Sequence, residues 1–285
     1  MQTTIAQPVR IDGVGIHSGN TVTANLIPAG PDEGIGFVRR DGEKDIRIPA
    51  HFSRVHHTLL ATSLKENGHE VQTVEHLMAC FSALGIDNVT VILDGPEVPI
   101  MDGSARPIVA LLDEAGVTLL DAQRRIARVM ETVTVSEDGK SATLKPRQAT
   151  GDGLELDYTI VYDNPHIGTQ RFACSVSPEC FKREIAPART FALEADVSMI
   201  LEQGRGMGGS FETALIIGDE GVLNPGGLRF PDECVRHKCL DAVGDMALFD
   251  LPLSGRYVAR KSGHRLNLML LEELSRRGAY EIVTI

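Results

Sequence analysis

Short apolar runs punctuated by Gly and Pro fill the first hundred residues, and runs of this length predict strands. The candidates are Val22 to Ile27, Ile35 to Arg39 and Leu59 to Lys65, with Asn67-Gly68 offering a tight hairpin turn into His69 to Thr73. At Thr73 the period changes. Val74, Leu77, Met78, Phe81 and Leu84 recur at helical spacing, which predicts an amphipathic helix with Thr73 as its N-cap and Gly85 as its stop. Asn88 to Leu93 is rich in β-branched residues and reads as a strand, and Ser104 opens a second helix to about Ala115.

The second half repeats the theme. Asp121 to Arg128 is polar and is read as the linker; strands are expected near Ile126 to Val135, Ala142 to Pro146, Leu154 to Tyr162 and Arg171 to Val176. Ser177 caps a short helix that has Pro178 at its first position. A helix near Leu193 to Gln203 leads into the Gly-rich GRGMGG, followed by a strand at Ala214 to Ile217 and a long helix from Pro231 to about Phe249. A strand near Tyr257, a helix over about Leu266 to Arg276 and a strand at Tyr280 to Ile285 complete the chain. Each half is a sheet with paired helices, so the expected class is α+β, a duplicated unit divided into residues 1–122 and 123–285.

Composition narrows the function. A hydrophobic share of 42% against 24% charged lies far from the signature of disorder. Lys plus Arg number 28 and Asp plus Glu 39, a net charge of −11, which disfavours nucleic acid as a partner. The opening residues lack a basic segment followed by an apolar one, and nothing approaches the roughly 18 apolar residues of a membrane span, so a soluble cytoplasmic protein is expected. Cys80, Cys174, Cys180, Cys234 and Cys239 are odd in number and form no C-x-x-C pair, which favours plain thiols over disulfides or a thiolate zinc site. With no coiled-coil heptad in view, a monomer is the expectation.

The chemistry concentrates in two places. His237 and Asp241 stand four residues apart on a predicted helix, hence on one face and suited to sharing a metal, and Asp245 continues that face. Glu75-His76 opens the helix of the first half. Together His76, His237 and Asp241 would make a two-His, one-Asp set with a position left open, the pattern of catalytic zinc sites. Zinc lowers the pKa of a bound water to about 7, so a carboxylate such as Glu75 could take its proton. Helix-dipole stabilisation by Glu75 and a core role for His76 remain the competing readings. His264, in KSGHRLN, could protonate a departing amine if a carboxylate such as Asp245 held its ring. His56-His57 lies in an extended run whose neighbours face opposite sides, and the Gly204 to Gly209 loop lacks the Lys-Ser/Thr of a P-loop.

Taken together these motifs resemble the UDP-3-O-acyl-N-acetylglucosamine deacetylases, zinc enzymes of lipid A biosynthesis in Gram-negative bacteria. The matching segments are GVGIHSG at 13–19, TVEHLMACFSALGIDN at 73–88, PEVPIMDGSARP at 96–107, ARTF at 188–191, GGSFETALII at 208–217, VLNPGGLRFPDECVRHKCLDAVGD at 222–245 and KSGHRLN at 261–267. The resemblance implies an amidohydrolase that removes the 2-acetamido group of the UDP-sugar as acetate. It implies His76, His237 and Asp241 as ligands of Zn2+, with Fe2+ or Co2+ also compatible with nitrogen and oxygen donors. It further implies Glu75 as general base, His264 as general acid, Asp245 as the carboxylate that orients it, and Thr190 as a donor to the oxyanion. Phe191 and Lys238 would contact the sugar nucleotide, as would His17, Lys145, Asp196 and Lys261.

The family fold is two α+β domains that sandwich their helices, each with an insert, here near 40–63 and 191–217. The fatty-acyl chain would lie in a hydrophobic passage of the second insert, where Leu193, Met199, Ile200, Leu201, Met207 and Ala214 supply apolar side chains. The pyrophosphate sits awkwardly with a net charge of −11, but Arg236, Lys238, Arg256, Arg260, Lys261 and Arg265 cluster around the proposed ligands, and screening over about 8 Å makes local charge decisive. Two other classes stay open at this point. A sugar or isoprenoid kinase would need a phosphate loop beside a catalytic Lys. A lipid-sugar binding protein would hold no stoichiometric metal and would tolerate loss of Glu75.

Overall fold

The computed structural model describes residues 1–41, 44–148, 150–249 and 251–285, so positions 42 and 43 of the expected first insert lie outside the described residues. Mixed sheets and helices are found. Helices α1 (Glu75–Leu84), α2 (Arg106–Ala115), α3 (Pro178–Cys180), α4 (Glu194–Glu202), α5 (Glu233–Met246) and α6 (His264–Arg277) alternate with strands throughout.

Alternation builds the first sheet. Val22, Ala24 and Leu26 of strand Thr21–Pro28 point into the core while their neighbours reach the surface. That strand pairs antiparallel with Val9–Val14 and Val89–Leu93; Ile35–Asp41 then adds parallel to Val89–Leu93, and Lys44–Pro49 closes the five-stranded order. A seven-stranded sheet carries the other half, with Leu253–Arg260 at its centre between Lys140–Lys145, Arg125–Val129 and Leu154–Val161. Thr3–Ile5 pairs antiparallel with Val117–Leu119, and two three-stranded sheets also lie apart from these. One joins Val55–His57, Ser63–Glu66 and His69–Val71; the other joins Phe191–Leu193, Leu215–Gly218 and Gly221–Val222.

α1 and α5 pack directly on each other, and Gly244 is the reason they come so close. A Cβ at Gly244 would stand 1.9 Å from the carbonyl oxygen of Glu75, so no other residue fits there without parting the helices. This contact sets the start of α1 against the last turn of α5 and brings His76 beside His237 and Asp241.

Several boundaries match the pattern of the sequence. Asn67 and Gly68 take φ of 48° and 87°, the two positive values a type I′ hairpin needs. Gly85 ends α1 in the left-handed region, and Ser177 Oγ accepts from Cys180 N at 3.1 Å, with Pro178 in the first turn of α3.

Others differ for local reasons. The Leu59 to Lys65 run is a strand only from Ser63, because Leu60 takes a φ of 62° and turns the chain. Thr73 does not cap α1; its hydroxyl donates to the buried Glu97 at 2.8 Å, and the helix starts at Glu75 after Val74 with no side-chain cap. α1 is also buried nearly all round rather than amphipathic, since α5 covers the face that a surface helix would give to water. Ser104 precedes its helix by two residues, donating to Asp102 Oδ1 and accepting from Arg106 N. The end of the polar linker, Arg125–Val129, is a strand whose Ile126, Ala127 and Val129 are buried between outward arginines, and a separate strand starts at Val133. All five cysteines are free, with Cys80, Cys234 and Cys239 buried and Cys174 and Cys180 half-buried.

Candidate active site

The facing ends of α1 and α5 bring three donors together. One ligand atom each from His76, His237 and Asp241 lies within 4.8 Å of the others, and all three residues are buried. His237 Nε2 stands 3.3 Å from Asp241 Oδ1, and His76 Nε2 stands 3.7 Å from the same oxygen. The helical i, i+4 spacing supplies the first pair; the Gly244 contact supplies the third member.

The donor chemistry fits a divalent cation. Ala188 O accepts from His237 Nδ1 at 3.1 Å, which fixes the tautomer and leaves the Nε2 lone pair facing the cluster. His76 Nδ1 is buried without a hydrogen-bond partner among the described residues. Burial pushes the His76 pKa down to about 3, with His237 adding to the effect, and burial lowers His237 too, so both rings are neutral and able to ligate. Burial opposes the charge on Asp241, yet Lys238, the largest opposing influence, and the charged His264 overcome it and hold that carboxyl well below the usual range. Lys238 Nζ donates to Asp241 Oδ2 at 2.7 Å.

A second group adjoins the first. Glu75 sits at the base of the same pocket with Oε1 4.0 Å from His264 Nε2, and His264 Nε2 is 3.9 Å from Asp241 Oδ2. His264 is the first residue of α6, and its Nδ1 donates to Asp245 Oδ2 at 2.8 Å. Burial lowers the His264 pKa, but Asp245, by charge and hydrogen bond, then Asp241 and Glu75 outweigh it and raise the pKa to about 9. Burial raises Glu75 to about 8, reinforced by Asp241 and Asp245 and opposed by His264.

Around this core lies a cavity of about 200 Å³, lined by Glu75, His76, His237, Asp241 and His264 together with His17, Asp196, Lys238, Thr190 and Phe191. Thr190 is set by its backbone N–H, which donates to Gly103 O at 2.7 Å; Gly103 has a φ of 81°, and a Cβ there would meet Thr213 O at 2.3 Å. The Phe191 ring stands edge-on to His237 at 6.3 Å, with Lys238 Nζ 5.8 Å from its centroid. Lys145 and Lys261 are exposed and do not line this cavity, and Asp245 stands behind His264. His56 and His57 are not in it either; His57 pairs with Glu70 at 2.9 Å.

A larger apolar cavity of about 660 Å³ adjoins it, sharing His17, Leu60, Thr190 and Phe191. Ile200, Leu201 and Ala214 line it as expected, joined by Val197, Phe211 and Leu223. Leu193 faces the smaller cavity instead, while Met199 and Met207 are 51% and 60% exposed and line neither. The GRGMGG loop forms part of this apolar wall, with Gly208 pressed on Gly15 so that a Cβ would meet Gly15 O at 2.3 Å.

Three contributors escaped the sequence pattern. Thr62 and Asn267 both donate to Asp245, at 2.6 and 2.7 Å. Asn267 lies one turn beyond His264, a spacing that could have revealed it, whereas Thr62 carries no such signal. Glu97, fully buried, accepts from the backbone N–H of His17 at 3.0 Å, that of Ser18 at 2.8 Å and the Thr73 hydroxyl, and so holds the His17 loop against the start of α1.

Comparison with known proteins points one way. The family model described as UDP-3-O-acyl N-acetylglycosamine deacetylase matches residues 2–276. A protein of Syntrophotalea carbinolica named UDP-3-O-acyl-N-acetylglucosamine deacetylase is 44% identical over 96% of this chain and 87% of its own length. Proteins of the same name from Anaeromyxobacter dehalogenans and Brucella melitensis biotype 2 are each 43% identical, over 100% and 99% of this chain and 91% and 98% of theirs.

Proposed function

The chain belongs to the UDP-3-O-acyl N-acetylglycosamine deacetylase family, and from that premise we propose how its buried side chains carry out the family's reaction. The chain is a deacetylase of lipid A biosynthesis: it hydrolyses the 2-acetamido group of UDP-3-O-acyl-N-acetylglucosamine to acetate and the free amine. One observation carries the assignment of roles. The neutral-imidazole and carboxylate trio of His76, His237 and Asp241 shares one buried cavity with a carboxyl, Glu75, and a protonatable imidazole, His264.

In this reading His76, His237 and Asp241 hold the metal, assigned as Zn2+ with Fe2+ or Co2+ as alternatives. When bound, the ion supplies a Lewis acid for the acetamide carbonyl and a positive charge that returns Glu75 to its carboxylate form. Glu75 then takes the proton of the attacking water. The Thr190 hydroxyl donates to the oxygen that gains charge as the carbonyl carbon becomes tetrahedral. His264, with a pKa raised to about 9, is protonated at neutral pH and gives its Nε2 proton to the amine nitrogen as the C–N bond breaks. Asp245 keeps the ring in the tautomer and direction this requires.

Binding follows the same division. The UDP-sugar is assigned to the smaller cavity, with Lys238, Phe191, His17 and Asp196 on its wall and Lys145 and Lys261 reaching the nucleotide from outside. The acyl chain is assigned to the 660 Å³ apolar cavity, whose lining by Ile200, Leu201, Phe211 and Ala214 supports that choice. Residues 1–122 and 123–285 are taken as two α+β domains with their helices between the sheets, in a cytoplasmic monomer. No helix among the described residues is long and apolar enough to cross a membrane.

Incubation of the metal-loaded protein with UDP-3-O-acyl-N-acetylglucosamine tests the reading. Acetate and a free 2-amino sugar nucleotide should appear in equal amounts. An inert mixture, or turnover of ATP instead, would sink it.

A further inference from the structure

Thr62 lies outside the set that the proposed reaction uses, yet its backbone N–H and its hydroxyl are both engaged with that set. It is 2% exposed and sits between the Leu59–Leu60 turn and the strand Ser63–Glu66. Its backbone N–H donates to Glu75 Oε2 at 3.1 Å, and its carbonyl accepts from Val74 N at 3.2 Å, the residue just before Glu75. Its hydroxyl donates to Asp245 Oδ1 at 2.6 Å and lies 3.2 Å from His264 Nδ1.

The consequence is geometric. Asp245 takes His264 Nδ1–H at 2.8 Å and Asn267 Nδ2–H at 2.7 Å on Oδ2, so Thr62 is the donor on its other oxygen. With both oxygens committed the carboxylate cannot rotate, and a fixed carboxylate fixes the plane of the imidazole and the direction of Nε2. The same residue fixes Oε2 of Glu75, leaving Oε1 to face His264 Nε2 at 4.0 Å. The small space beside the hydroxyl, about 10 Å³, is walled by Val55, Thr58, Leu248, Leu268 and Leu271 together with Asp245 and His264.

We propose that Thr62 is a positioning residue of the deacetylation site, coupling the place of Glu75 to that of the Asp245–His264 pair. The inference rests on the deacetylase reading above.

Thr62→Val keeps the shape and the backbone donor but removes the hydroxyl, while Thr62→Ser restores it. In the metal-loaded protein Thr62→Val should lower kcat by about 10- to 100-fold, the usual cost of losing a partner behind a site residue, with KM and bound metal unchanged. Thr62→Ser should recover most of that kcat. A Val variant with wild-type kcat would overturn the inference while leaving the deacetylase reading intact. So would a Val variant that loses metal in step with activity, or a Ser variant as impaired as Val, since either marks a packing role. A wild type that releases no acetate would overturn both.

Discussion

α5 and α4 both border the smaller cavity, α4 alone continues into the apolar one, and the two are built by opposite rules. Along α5 the side chains from Cys234 to Met246 are almost all buried, pinned against α1, α6 and the sheet. α4 has no buried residue at all; Val197 and Ile200 reach the apolar cavity while Met199 and Leu201 are about half exposed. The difference matches what each would do in the proposed reaction. Proton transfer and metal ligation demand placement to a fraction of an ångström, which neighbours packed on every side provide. Holding a hydrocarbon chain demands only apolar area, and an element with few buried contacts suffices.

The contrast can be broken first at its chemical end. Glu75→Ala or His264→Ala should each lower kcat by about 10² to 10⁴-fold, the size of a general acid or base contribution, with metal content unchanged by elemental analysis. Wild-type kcat in both would remove those assignments. Next in size is Gly244→Ala. The added methyl meets Glu75 O, so the helices must part, and thermal or denaturant unfolding should show about 1–3 kcal/mol of lost stability or more, together with weaker metal binding. A variant as stable as wild type would mean that this contact does not set the site.

A smaller effect concerns pH. The folded pKa of Glu75 is about 8 against 4.5 for the free group, so its contribution to stability is complete below 4.5 and is lost as pH rises through 8. Glu75→Gln has no proton to lose. In metal-free protein its Tm relative to wild type should therefore climb between pH 4.5 and 8 and then level off; a flat difference across that range would contradict the burial argument. Smallest is Ile200→Ala in the apolar wall. It should raise KM for a long-chain substrate by about tenfold or less, given about 0.8 kcal/mol per buried CH2, and leave kcat and Tm nearly unchanged. An equal KM effect on a substrate lacking the acyl chain would place that residue's role elsewhere.

The same division governs what the sequence makes legible. His237 and Asp241 are readable as a pair because helical spacing alone aligns them; α1 is readable because its apolar positions recur at helical spacing, and α5 because Pro231 marks a helix start. That His76 joins them depends on Gly244, a glycine whose meaning appears only when the Glu75 carbonyl is seen 1.9 Å from its absent Cβ. Thr73 is misleading because a capping residue and a donor to a distant buried carboxylate look alike in sequence, and Glu97 lies 24 residues further on. Leu59 and Leu60 read as strand because apolar residues lining a cavity cannot be told from those facing a sheet; Leu60 lines both cavities. Thr62 is invisible for the same reason in reverse, a small polar residue whose partners Glu75 and Asp245 lie 13 and 183 positions away.

In the proposed reaction a divalent ion held by His76, His237 and Asp241 makes the neighbouring Glu75 and His264 a deacetylase. Stripping the protein with a chelator and titrating Zn2+ back, while counting bound metal and released acetate together, tests it most directly. Acetate release should rise in proportion to bound ion up to a single ion per chain, and His237→Ala should neither hold that ion nor turn over. Undiminished acetate release from the stripped protein, or a stoichiometric ion retained in His237→Ala, would contradict it.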